Sequence, residues 1–189
     1  MPFLPFGGNY THLGSTQLAV NASVAGSASE VISFPAYDIL VVNYIIKGYV
    51  TTGGFPGFRF NGDGGSTKYW TRNMTSASGV GTFATSQGAS TVATAVVAGS
   101  GTANLNPQIG QAVISNYPAS TKIVKFNHQQ ASASSATVAN IDLGGGEWVE
   151  TVNSIWSIQM LSFASQTSGT PTGLMLAGSG FSVYGINLQ

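Results

Sequence analysis

Nowhere does this chain sustain the i, i+3, i+4 spacing of apolar residues that a long amphipathic helix requires, so its core must be built from strands. Its apolar residues come in short β-branched and aromatic segments punctuated by Gly, Ser, Asn and Pro. The strongest runs from Asp38 to Thr51, where Ile39, Val41, Tyr44, Ile46 and Val50 suit a pleated face, and it is expected in the middle of a sheet. Strict alternation fails along that run, so the register is expected to shift near Asn43 or Gly48, most simply through a bulge at Gly48. Two moderate segments precede it, Gln17 to Val24 and Glu30 to Phe34, the second closed by Pro35. Later strands are expected near Thr82 to Thr85, Thr91 to Ala98, Gln111 to Ser115, Lys122 to Asn127, Thr137 to Leu143, Glu147 to Thr151, Ile155 to Phe163 and Phe181 to Leu188. Short strands with small-residue turns indicate an all-β, antiparallel sandwich. The length of 189 residues suits one such domain, expected over residues 16–189, preceded by an N-terminal arm over residues 1–15.

Phe58, Arg59, Phe60 and Asn61 lead into Gly62, Asp63, Gly64 and Gly65, and the chain continues through Tyr69, Trp70 and Arg72. This pattern reads as a β-hairpin with cross-strand aromatic pairs, because Asp63-Gly64 is a dipeptide suited to positive φ. Gly144 to Gly146 also read as turn formers between two strands. Gly99 to Asn106 and Ala131 to Ala136 read as loops.

Charged residues make up 6% of the chain, six basic and six acidic, for a formal net charge of zero. An ordinary soluble domain carries about a quarter. Long-range repulsion between copies is therefore nearly absent, and the small polar residues that replace charge can be covered by protein without stranding an ion. Association is the first expectation. The absence of a basic cluster argues against a nucleic-acid partner. The best apolar run, Ile39 to Ile46, is interrupted by Asn43, so neither a membrane span nor a secretion signal is expected. With no cysteine, disulfides and thiolate metal clusters cannot form.

Candidate chemistry is sparse. His12 and His128 are far apart and lack the close pairing of many zinc sites, so each reads as a polar surface or interface residue. There is no Gly-x-Ser-x-Gly elbow in a strand-to-helix setting, and the glycine clusters do not precede a helix that could cradle phosphate. Asp142, Glu147 and Glu150 hold half of the acids, and paired carboxylates could cleave a glycoside or hold calcium. On a regular strand, however, Glu147 and Glu150 face opposite ways, which favours a salt-bridged hairpin. Asp142, Glu147 and Trp148 are the weak ligand candidates. Trp70, Trp148 and Trp156 could stack on sugars, although tryptophan in a strand more often serves a core or a subunit contact. No cofactor or metal is expected, and an enzyme is the least supported class, so the chain is expected not to be one.

The N-terminal Pro2, Phe3, Leu4, Pro5 and Phe6 form an apolar cluster ahead of Gly7 and Gly8. It could tuck onto its own sandwich or anchor a neighbouring subunit, where each phenylalanine would bury roughly 150 Å² or more.

Phe58-Arg59-Phe60-Asn61-Gly62-Asp63 with Tyr69-Trp70, Gly145-Gly146-Glu147-Trp148, Ser154-Ile155-Trp156-Ser157-Ile158 and Gly178-Ser179-Gly180-Phe181-Ser182-Val183-Tyr184-Gly185 resemble a group of small virion proteins of tailed bacteriophages. The resemblance covers the chain from about Asp38 onward and not its first few tens of residues. It implies a jelly-roll-like sandwich and a structural role, as a capsid decoration or cement subunit or as part of a tail or head fibre. The motifs carry no catalytic residue. The resulting expectation is a virion protein, probed by deleting residues 1–8, that bridges major capsid subunits as a homotrimer, with Pro2 to Phe6 as its contact. Alternatives are a fibre or collar component that recognises host-surface glycans, and a principal jelly-roll shell subunit.

Overall fold

A computed structural model describes residues 9–20, 30–48, 55–64, 68–76, 83–88, 96–97, 107–130, 140–163 and 175–188. Among the described residues twelve strands are formed: β1 (Thr11–Gln17), β2 (Ile32–Ser33), β3 (Ile39–Ile46), β4 (Phe55–Phe60), β5 (Tyr69–Ser76), β6 (Phe83–Gly88), β7 (Val96–Val97), β8 (Gln108–Ser115), β9 (Lys122–Gln130), β10 (Asn140–Trp148), β11 (Ser157–Phe163) and β12 (Gly180–Ile186). They build an antiparallel β-sandwich of an eight-stranded sheet, β1-β12-β3-β8-β9-β10-β5-β6, and a four-stranded sheet, β2-β11-β4-β7.

The topology follows from one long ribbon rolled onto itself. β1 pairs with β12, β2 with β11, β3 with β8 and β4 with β7, so the first four strands meet later ones in reverse order. Rolling adds the β12–β3 and β11–β4 pairs and places alternate strands in opposite sheets. Without β5–β6 and β9–β10, two four-stranded sheets remain in jelly-roll order. The two additional hairpins widen one sheet beyond β8.

Between the sheets lie Leu40, Val42, Tyr44 and Ile46 of β3, Phe58 and Phe60 of β4, Val124 and Phe126 of β9, Ile158 and Met160 of β11, and Phe181 and Val183 of β12. Burying such side chains removes about 1.5–3 kcal/mol each of exposure cost, the main force closing the sandwich. β3 is central, as expected, but Gly48 is not a bulge: the strand ends at Ile46 and keeps an unbroken register with both neighbours. Its alternation fails because it is buried on both faces, with Ile39 and Val41 covered by a second cluster containing Tyr10, Val113, Tyr184 and Ile186 on the outer face. The register shift falls in β1 instead, between His12 and Gly14.

Other expectations need correction. The first strand found is Thr11–Gln17, so residues 11–15 join the sandwich and not the arm, while residues 21–24 of the expected Gln17 to Val24 segment lie outside the described residues. Phe58 to Trp70 is not a hairpin: β4 pairs with β11 and β5 with β10, in different sheets. Both strands present aromatics to the core, so the expected cross-strand contact becomes a contact across the core, with Phe60 and Tyr69 rings 6.1 Å apart and Trp148 5.7 Å from Phe60. Gly144 to Gly146 are not a turn but the interior of the single strand β10, between β9 and β5. A Cβ on Gly145 would lie 2.9 Å from the Val124 carbonyl oxygen, so close strand approach requires glycine there. Of Thr91 to Ala98, Val96–Val97 forms a strand and the rest lies outside the described residues; of Thr137 to Leu143, residues 140–143 open β10 and 137–139 lie outside, as do the loops at 99–106 and 131–136.

Candidate functional site

At one end of the sandwich, the turn after β4 seeds a network. Asn61 and Gly62 both adopt positive φ, 52° and 70°, which reverses the chain tightly and lets the Asp63 amide donate to Phe60 O. The Asp63 carboxylate accepts from Trp148 Nε1 at 3.0 Å and pairs with Lys68 Nζ at 3.1 Å, while its backbone oxygen accepts from the Tyr69 hydroxyl at 2.8 Å. Lys68 also reaches Glu150 at 3.6 Å. The fully buried Lys122 donates from Nζ to the Ser120 and Glu150 backbone oxygens at 2.6 and 3.0 Å. Burial pushes the Lys122 ammonium down, against the opposing pull of Glu150. Hydrogen bonding and charge from Asp63 push Lys68 up, and burial pushes the Tyr69 phenol up. The Val152 amide, with Asn153 and Lys68, holds Glu150 below its ordinary range. These charges are engaged in pairing, and the network clamps the strand ends.

Its product is a fixed loop over residues 149–156. Glu150 Oε1 accepts from the Val152 amide at 2.8 Å, and Asn61 donates to Ser154 O at 2.9 Å while accepting from the Trp156 amide at 2.9 Å. Asn116, 1% exposed, donates to Tyr37 O and Ile155 O and accepts from the Ile155 amide. The loop so held buries Ile155 and turns its other apolar side chains outward: Val152 is 76% exposed and Trp156 51%, beside exposed Val149. Tyr117 is also exposed, on the turn whose Asn116 and Lys122 grip this loop.

The outer face of the large sheet carries a second arrangement. Ser15, Ser182, Asn43, Gln111 and Asn127 stand opposite one another on β1, β12, β3, β8 and β9. Ser15 Oγ donates to Ser182 Oγ at 2.8 Å, and His12 Nε2 lies 2.8 Å from Ser15 Oγ. Gln111 Nε2 donates to Asn43 Oδ1 at 2.8 Å, and the Gln111 amide donates to Asn127 Oδ1 at 3.1 Å. A solvent-open hollow of about 460 Å³ lies over the β1-β12-β3 part of this row, lined by Ser15, Gln17, Asn43, Ile45, Gly180 and Ser182 among others.

The sequence candidates are dispersed. Pro2, Phe3, Leu4, Pro5 and Phe6 lie outside the described residues. Asp142 and Glu147 occupy β10 five positions apart, Glu147 exposed, and Glu150 lies beyond the strand, paired with Lys68. No group of three or more His, Cys, Asp or Glu capable of holding a metal occurs among the described residues. Trp148 is a core residue at 2% exposure, and Phe58, Phe60 and Tyr69 are fully buried, whereas Trp70 is exposed. His128 is no surface residue: it is fully buried, stacked on Tyr44 with Nδ1 3.0 Å from the Tyr44 hydroxyl. Sequence reasoning missed Asn116, Lys122 and the polar row. The row had no local signal because its members come from five strands brought together by register alone.

No family model matches the chain, and no curated protein matches it. Among solved structures it is similar to a marine PL-14 alginate lyase from Aplysia kurodai, at 12% identity and a TM-score of 0.40, over 93% of this chain and 82% of the other. It is also similar to a doubly substituted alginate lyase Aly36B in complex with an alginate tetrasaccharide, at 12% identity and a TM-score of 0.34, over 98% and 84%. Both neighbours are enzymes by name, against the sequence-level expectation that the chain is not one. At these scores the likeness transfers neither their reaction nor their substrate to this chain.

Proposed function

We propose that this chain is a structural subunit of a bacteriophage virion, a decoration or cement protein that bridges major capsid subunits as a homotrimer. The observation carrying the proposal is the loop over residues 149–156, which side-chain hydrogen bonds fix in place while it exposes Val149, Val152 and Trp156. Ordering a loop before contact lowers the entropic cost of association, and an exposed tryptophan is a common energetic anchor. Zero net charge removes repulsion between crowded copies on a shell. The jelly roll adds support by analogy alone, since viral coat and lectin domains both use it.

Imaging whole virions at a resolution that traces this chain tests the reading. Density on the capsid lattice, with the loop against several shell subunits, is expected. Density confined to the tail refutes it. In a particle-binding assay, Val152→Asp should weaken attachment at least tenfold, because a buried unpaired carboxylate is costly. Deleting residues 1–8 measures the share contributed by Pro2 to Phe6: coating and particle stability equal to those of the full chain would show that this segment is not the anchor.

A further inference from the structure

We infer that the transverse row Ser15, Ser182, Asn43, Gln111 and Asn127 on the outer face of the large sheet is a binding site for a neutral oligosaccharide. Five adjacent strands place these residues in line, so the row spans about 19 Å at ordinary strand spacing. That length suits an extended ligand lying across the strands. Each member is a hydroxyl or an amide that can donate and accept, the complement of a ligand carrying many hydroxyl groups. Their mutual hydrogen bonds at 2.8 Å fix the side chains before a ligand arrives.

The surroundings narrow the class. The next row toward the clamped end contains Tyr184, whose ring is 5.2 Å from that of His12, giving an aromatic wall against which a sugar face can lie. The row on the other side contains Ile45 and the exposed Ile109, with Gly180 opening the floor of the 460 Å³ hollow. That volume lies within the usual range of ligand sites. No member of the row is charged; the flanking cations are Lys125, one row away on β9, and Lys47, whose side chain lies beside Gly178 at the hollow's rim. Recognition of a carboxylated or phosphorylated chain would call for a charge-assisted partner within the row. A peptide would gain most by adding to a strand edge, whereas these strands already have their backbone groups paired on both sides in β12, β3, β8 and β9.

The test is affinity electrophoresis of the purified full chain through gels containing dextran, mannan or galactomannan, with alginate and polygalacturonate as acidic comparators. At least one neutral polysaccharide should retard migration. Asn43→Ala and Gln111→Ala should each weaken that retardation about tenfold, and Ser182→Trp, which fills the hollow, should abolish it. Asn127→Ala, at an exposed position, gives a second reading free of folding effects, and Val31→Ala, at the exposed residue just before β2, should leave retardation unchanged. Thermal melts check that every variant is folded. Retardation by none of the neutral polymers, by acidic polymers alone, or undiminished in Ser182→Trp overturns the inference. Because the assay uses the free chain, its failure would leave the capsid reading standing, and the converse also holds.

Discussion

Replacing Asn116 with alanine should release the exposed loop more than any other single change at this end of the sandwich. The side chain is 1% exposed and makes three bonds to backbone, donating to Tyr37 O at 2.9 Å and Ile155 O at 3.0 Å and accepting from the Ile155 amide. A net hydrogen bond contributes about 1 kcal/mol, and each buried group left without its partner costs about 1–3 kcal/mol. Ile155 is fully buried, so at least its amide and carbonyl carry that cost. With partial relief by water near Tyr37, the expected loss is about 3–4 kcal/mol, or a fall in Tm of about 6–16 °C for a chain of this size. Asn116→Asp should lose at least as much near neutral pH, because a carboxylate would face two carbonyl oxygens. Denaturant titration followed by circular dichroism gives the free energy, and Trp156 fluorescence reports loosening of the loop. A loss below about 1 kcal/mol, with unchanged fluorescence, would refute the claim that Asn116 holds the loop.

Two further outcomes follow from the same geometry. The Glu150 carboxyl is held below its ordinary pKa of 4.5, first by the Val152 amide, so its stabilising contribution is complete above that value and disappears as pH falls through the depressed one. Thermal melts of the wild type and Glu150→Gln should therefore differ most near neutrality and converge in strong acid; a difference constant with pH would contradict this assignment. Gly145→Ala should destabilise by about 1–3 kcal/mol because its Cβ would meet the Val124 carbonyl oxygen at 2.9 Å, while Gly64→Ala, whose nearest neighbour is Arg59 Cζ at 3.9 Å, should fall within about 0.5 kcal/mol of wild type in the same titration.

What the sequence displayed was the strand content and the central place of β3, because β-branched density at Asp38 to Thr51 is a local property. What it concealed was pairing. Phe58 to Trp70 has the composition of a hairpin, yet Phe60 and Tyr69 face each other from opposite sheets, and a run of residues cannot reveal whether its aromatic neighbours meet along a ladder or across a core. Gly144 to Gly146 misled for a related reason. Glycine marks close approach as well as reversal, and only the position of β9 decides between them. Trp148 and Trp156 are eight residues apart and equally aromatic, but one donates to Asp63 from the core and the other stands half exposed.

The scarcity of charge acquires a structural reading once its placement is known. Of six basic and six acidic residues, Lys68, Lys122, Asp63 and Glu150 sit in one network at one end. There they fix backbone, where a charge-assisted bond is roughly twice as strong as a neutral one. One transverse row of the outer face is left to hydroxyls and amides in register across five strands. Such a division gives the molecule two surfaces with different chemistry: a stiff apolar end suited to burial against protein, and a neutral polar row suited to a hydrated ligand. A subunit that docks through the first surface would still be able to present the second.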